Sequence, residues 1–333
     1  MTATRAPLVL AIGCLGVALT LGCSASDSAP GGGGQASGTP AWKTPVALGD
    51  VNAHGVRSLA VSATHVYVTT SGVGTEQVAR VAKDGGAVEV ISADQSAYGI
   101  TVAGEQVCWV NRGVGATGEA WCMPDAGGAP TRLADNLNDP MGIASDGSNL
   151  VWTTVGDSSV SKFVLPSGPL QTLAGPLGSP TAVATASGNV FWIDATDGSV
   201  WSVGMDGGSA KKLGSPKCNA SAVAFGLAAR GSVAYCGSWI AGGAGSVMAV
   251  SLDGTVTKLG PGQVYGPSGG IAVDDSFAYW PSPMGAKIFS TPLGGGDDTM
   301  LVQGETAEAI AVDATGLYWA AYGTTVTIMK MAR

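Results

Sequence analysis

Charge is scarce in this chain. Only 12% of its 333 residues are Asp, Glu, Lys or Arg, about half of the ~25% usual in soluble domains. The formal net charge is −8 and no basic run occurs, so the electrostatic footprint of a nucleic-acid binder is missing. Histidine is scarcer still. His54 and His65 are the whole supply for a histidine metal site or a nucleophile–base pair. No Cys-x-x-Cys spacing occurs, which removes the common zinc framework. The apolar stretch from Leu8 to Leu21 has 14 residues, short of the ~20 that a transmembrane helix needs.

What is abundant is glycine, with 52 residues, on a background of Ala, Val, Ser and Thr. That mixture suits short strands and tight turns better than long helices. The length allows one large core or two domains.

The N-terminus reads as a targeting segment. Arg5 supplies a positive start, Leu8 to Leu21 an apolar h-region, and "LTLGC" ends it at Cys23. This resembles a bacterial lipobox, with small Gly22 before the cysteine, although Thr20 and Leu21 depart from its usual order. The resemblance implies a signal peptide over residues 1–22, lipidation of Cys23 and an envelope location, anchored by lipid and facing periplasm or exterior. Plain secretion after cleavage near Ala25 is the alternative, and "AIGC" at Cys14 has too short an h-region. Residues 23–44, including "SASDSAPGGGGQASGTP", have no apolar face and read as a flexible tether.

From there the chain repeats itself. "IAVDDSFAYW" (Ile271–Trp280) and "IAVDATGLYW" (Ile310–Trp319) are near copies. "LAVSATHVYV" from Leu59, "ITVAGEQVCW" from Ile100, "IASDGSNLVW" from Ile143, "VATASGNVFW" from Val183 and "LAARGSVAYC" from Leu227 align without gaps. A turn signature follows, as in "VAKDGG", "MPDAGG", "VGMDGG" and "SLDG". Asp-Gly and Gly-Gly supply the positive φ of tight hairpins. Each repeat of roughly 42 residues therefore holds four short strands, a to d, which is the period and content of a propeller blade. The seventh repeat stops after strand c. The segment around Val46 to Leu48 aligns with a strand d and predicts ring closure from the N-terminal side, which removes an exposed edge. The expected fold is all-β, a seven-bladed propeller over residues 45–333. A transmembrane β-barrel does not fit copies of this length with a fixed Trp.

The "GIAVD…YW" units with their "DGG" turns resemble the YWTD propellers of low-density-lipoprotein-type receptors, and are similar to NHL-like and streptogramin-lyase-like propellers. Lyase-like members use a metal and a histidine near the axis. Lactonase-like members chelate calcium with inner Glu, Asn and Asp. Neither site is matched here. His54 falls in a d–a loop and His65 near an a–b turn, on opposite faces. Glu308 is the one acid placed facing the axis, while Asp194, Asp197, Asp274 and Asp275 read as turn formers. No cofactor is predicted, with a divalent cation left open.

Trp109, Trp152, Trp192, Trp280 and Trp319 share one repeated position, as Trp121, Trp201 and Phe289 do on strand c. Repetition points to packing between blades, with sugar stacking the alternative. Beyond Cys14 and Cys23 four cysteines remain. Cys108 and Cys122 face each other on strands b and c of blade two. Cys218, in a d–a loop, and Cys236, ending a strand b, share one face of the disc. The repeat frame thus selects Cys108–Cys122 and Cys218–Cys236, against four free thiols.

The position two before each unit opens strand a at the channel entrance. It reads Arg57, Tyr98, Met141, Thr181, Phe225, Gly269 and Glu308, different in every blade. This ring is the candidate binding site, unless it merely plugs the channel. Arg57 and Glu308, on neighbouring blades, are placed to pair. Nearby b–c loops add Asn111, Arg112, Asp157, Asp194, Trp239 and Tyr322. Two functions follow: a lipid-anchored module binding a protein, glycan or small molecule, or a lyase or lactonase with an unrecognised metal site.

Overall fold

The computed structural model describes residues 41–333, apart from residues 73, 94–95, 114, 219–225, 240–243 and 265–269. Residues 1–40, with Cys23 and the signal and tether segments, lie outside the described residues, as do Phe225 and Gly269.

Seven antiparallel sheets form, one per repeat. In blade two, strand a is Ala97–Ala103, b Gln106–Asn111, c Gly118–Pro124 and d Thr131–Leu137. The other blades follow the same a-b-c-d order. Blade five carries a second outer piece, Gln263–Val264, on the same strand as Val256–Lys258. The only helix among the described residues is the 3-10 turn Pro283–Gly285. The ring closes as expected: Val46–Val51 pairs antiparallel with Val326–Ala332 and completes blade seven. The packed chain begins before this strand, within the stretch read as tether. Trp42 packs edge-on against Tyr279 at 5.7 Å, and the Lys43 amide donates to the Ala332 carbonyl at 2.9 Å.

Each gap between neighbouring blades has its own apolar core. The five repeated Trp side chains are fully buried, and each packs on the blade before it. Trp152 sits with Cys108, Val110 and Tyr98 of blade two, and Trp192 with Val151 and Val160 of blade three. A flat ring suits this gap because it fills the wedge between two twisted sheets. Its strand-c partners complete the layer: Trp109 opposes Trp121, Trp192 opposes Trp201, and Trp280 stacks on Phe289 at 4.6 Å. Where the repeat lacks Trp, other chemistry fills the space. Val68 serves between blades seven and one, and Cys236 between blades four and five.

Both expected disulfides are present. Cys108 and Cys122 are directly opposed across the hairpin, and Cys218 joins Cys236. The second bond lies in one of the two gaps that have no repeated Trp, between blades four and five.

The face carrying the a–b and c–d turns is laced by polar contacts from one blade to the next. Arg80 Nη1, Lys162 Nζ and Lys330 Nζ occupy equivalent places on strand c. They donate to the carbonyls of Asp125, Met205 and Lys83 in the following blade's turn, at 2.7, 2.8 and 3.0 Å. Asp125 adds a knot. It accepts from Ser62 Oγ at 2.7 Å, Thr64 Oγ1 at 2.6 Å and Tyr67 OH at 2.5 Å, all in blade one. Burial pushes its carboxyl up, but these bonds outweigh burial and hold it at about 2.

Candidate functional site at the channel mouth

The axis is lined by the first residue of each repeat unit: Leu59, Ile100, Ile143, Val183, Leu227, Ile271 and Ile310. All seven are branched aliphatics and all are buried. They surround a cavity of about 140 Å3, with Arg57 and Ser58 at its rim.

Two residues earlier the strands behave differently. Strand a leaves register with strand b between Val56 and Ser58, Ala97 and Ile100, Pro140 and Ile143, Pro180 and Val183, and Ala307 and Ala309. Arg57, Tyr98, Met141, Thr181 and Glu308 all fall in these breaks. The entrance ring is thus a ring of β-bulges, which release a side chain from the ladder and re-aim it. The backbone there stays fixed by the preceding blade. The carbonyls of Tyr98, Thr181 and Glu308 accept from Thr69 Oγ1 at 2.5 Å, Thr153 Oγ1 at 2.6 Å and the Gly270 amide at 2.6 Å. The inner strands approach closely enough to demand glycine. A Cβ on Gly142 would lie 2.4 Å from the Thr181 carbonyl oxygen, and one on Gly99 would lie 2.5 Å from that of Met141.

The side chains of the ring fall into two sets. Arg57 does not pair with Glu308. Among the described residues no ion pair joins them. The Arg57 guanidinium lies over the Tyr98 ring, 4.0 Å from its centroid. Burial pushes the Glu308 carboxyl above its ordinary range, partly offset by a hydrogen bond from Tyr322. Burial, then Glu308, pushes the Tyr322 hydroxyl up. Arg57 instead takes the aromatic face of blade two, where it gains a cation–π contact.

Arg112 also contacts Tyr98. Its Cζ is 5.1 Å from the ring centroid, and Nη1 donates to the Tyr98 hydroxyl at 2.7 Å. Arg112 also forks onto Asp139, through Nε to Oδ1 and through Nη2 to Oδ2. Tyr98 meets two guanidiniums, one satisfied by Asp139 and one not. Arg57 Nε is buried and has no hydrogen-bond partner, as does Thr181 Oγ1 in blade four.

The remaining sequence candidates divide cleanly. Asn111 is buried beside this cluster. Asp194 accepts from the Ser179 and Thr196 amides, Asp197 from the Ser199 amide, and Asp274 from the Ser276 and Phe277 amides. These are turn-forming acids, as expected. Exposed Asp275 pairs with Arg230, and Asp157 accepts from Asn138. His65 is satisfied on the far face, with Nδ1 2.8 Å from Thr64 Oγ1 and 3.3 Å from Asp125. His54 lies against Gly72 in the loop before strand a. The two histidines do not meet.

The sequence reading missed the Arg112–Asp139 fork and the Asp125 knot. Its available signal was charge inside a charge-poor repeat: Arg80, Lys162 and Lys330 recur at one strand-c place.

No family model matches the sequence, and no curated protein matches it. Solved structures do. Virginiamycin B lyase from Staphylococcus aureus superposes with a TM-score of 0.68 at 13% identity, covering 88% of this chain and 99% of that one. A nidogen/laminin complex matches at 0.50 and 17% identity, covering 66% and 97%. A protein of unknown function from Bacteroides thetaiotaomicron matches at 0.56 and 16%, covering 87% and 72%. At these identities the likeness establishes the seven-bladed β-propeller fold.

Proposed function

We propose that the chain is an envelope lipoprotein, anchored through Cys23, whose propeller presents the entrance ring to a small molecule, glycan or protein. The observation that carries this reading is the bulged ring itself. Its backbone is pinned while its side chains differ in every described blade, and its one free guanidinium sits at the rim of a cavity. Geometry at the chain's start agrees. Lys43 meets the end of strand c in blade seven, and Trp42 packs by Tyr279, whose hydroxyl bonds Asp274 in an a–b turn. The first packed residues, Trp42 and Lys43, therefore lie on the turn face, and the mouth opens on the other. Anchoring is tested by fractionating cells that express Cys23→Ser. The variant should leave the membrane fraction and take up no labelled lipid; unchanged distribution refutes the anchor.

A second reading has one observation in its favour. Glu308 is a carboxyl raised by burial in the entrance ring, the kind of group that exchanges protons in catalysis. Together with the likeness to virginiamycin B lyase this supports a lyase- or lactonase-type enzyme. Stoichiometric divalent cation on the purified full-length protein would favour that reading over the first.

A further inference from the structure

Arg57 stands apart from most cations of this chain. Arg80, Arg112, Arg132, Arg230 and Arg333 all have carboxylate partners. Arg57 has none among the described residues, although its Nε is buried and a buried unpaired donor is costly. The side chain is nevertheless ordered by design. Tyr98 lies under its guanidinium at 4.0 Å, and Tyr98 in turn is held by Arg112, which Asp139 locks in place. Three residues thus hold one guanidinium in place along the axial cavity. Because Nε is occluded, the Nη1–Nη2 end is the edge left for a planar oxyanion, which a guanidinium binds through two parallel N–H donors.

We propose that Arg57 is the docking point for a carboxylate on a ligand lying across the channel mouth. A carboxylate fits better than a phosphate because a single positive charge is on offer. Arg112 is already neutralised by Asp139, and the whole chain carries −8. This inference rests on the entrance ring being the binding site.

Thermal unfolding of the full-length protein in detergent tests it. The probes are sodium acetate and sodium isovalerate, with inorganic phosphate as the competing class and sodium chloride at matched ionic strength as the baseline. Ligand that binds only the folded state raises Tm in a saturable way. Both carboxylates should do so for the wild type. Arg57→Gln should weaken the response at least about tenfold, and Arg57→Lys should restore part of it. A response equal in Arg57→Gln and wild type, or a response to phosphate alone, overturns the carboxylate proposal. The entrance-ring reading fails separately: it falls if ligands found in a neutral glycan and small-molecule screen bind equally well to Arg57→Gln, Met141→Lys and Glu308→Gln.

Discussion

Two rings of side chains, two residues apart on the same inner strands, follow opposite rules. The inner ring, from Leu59 to Ile310, is aliphatic in every blade and buried around the axis. The entrance ring, from Arg57 to Glu308, holds a cation, an aromatic, a thioether, a hydroxyl and an acid in its described members. The difference traces to the ladder. Inner-ring residues pair in register with the repeated strand-b position, as Ile143 does with Trp152 and Ile310 with Trp319. Their side chains are therefore dictated by seven similar environments. Entrance residues sit in bulges, where the preceding blade fixes the carbonyl and each side chain meets a different setting: Tyr98 and Met141 pack in the core between blades two and three, while Arg57 and Glu308 are partly exposed. A repeat protein can in this way keep its frame and vary its site without moving any strand.

Breaking the frame should have the largest effect. Deleting residues through Asp50 removes strand d of blade seven and with it both rings' closure. Cooperative unfolding should be lost, as followed by near-ultraviolet circular dichroism against denaturant. Deletion through Pro40 should leave the transition in place. Equal melting of the two truncations would disprove closure by this strand.

Next come the bonds that hold blades together. Cys218→Ser with Cys236→Ser should destabilise by roughly 3 kcal/mol, since this disulfide occupies the core of a gap that has no repeated Trp. The Cys108→Ser, Cys122→Ser pair should cost less. That bond joins residues already opposed in a hairpin. Denaturant midpoints of the two double variants decide the order, and non-reducing peptide mapping should find no link between the two pairs.

A smaller effect is expected at Asp125. Its carboxyl lies at about 2 when folded against an ordinary 3.8, so it contributes stability above pH ~4 that is lost as pH falls toward 2. The linked contribution is roughly 2 kcal/mol at neutral pH. Asp125→Asn should be destabilised at pH 7, with the gap to wild type closing by pH 2. A constant gap would mean that the knot to blade one does not depend on the ionised carboxylate.

The smallest effect belongs to the entrance ring. The Glu308 carboxyl is raised, so the folded protein loses stability as pH climbs from the ordinary carboxylate range through its folded value. Glu308→Gln should flatten that decline only slightly, because the group is half-buried and screened by solvent. A variant that unfolds more readily than wild type at pH 8 would contradict the sign.

Much of this was legible in the sequence because a repeat is its own alignment. Seven copies of one decapeptide located strands a and b, Asp-Gly turns located c and d, and the frame paired the cysteines. The repeat located the entrance ring but not its wiring. Arg57 turns to Tyr98 rather than Glu308 because of burial and ring geometry, which one-dimensional adjacency does not carry. Trp42 was hidden by its Gly- and Pro-rich surroundings; its packing depends on Tyr279 and Arg333, far along the chain. The Asp125 knot likewise joins residues some sixty positions apart.

The contrast between the rings is tested most directly by urea denaturation of Leu59→Ala beside Arg57→Gln, each with and without saturating sodium acetate. Leu59→Ala should lose about 2–5 kcal/mol yet keep the acetate increment. Arg57→Gln should lose no more than about 1 kcal/mol, the worth of its contact with Tyr98, and show no increment. An Arg57→Gln protein as unstable as Leu59→Ala would make the entrance ring a plug of the channel, and an intact increment would place the ligand elsewhere.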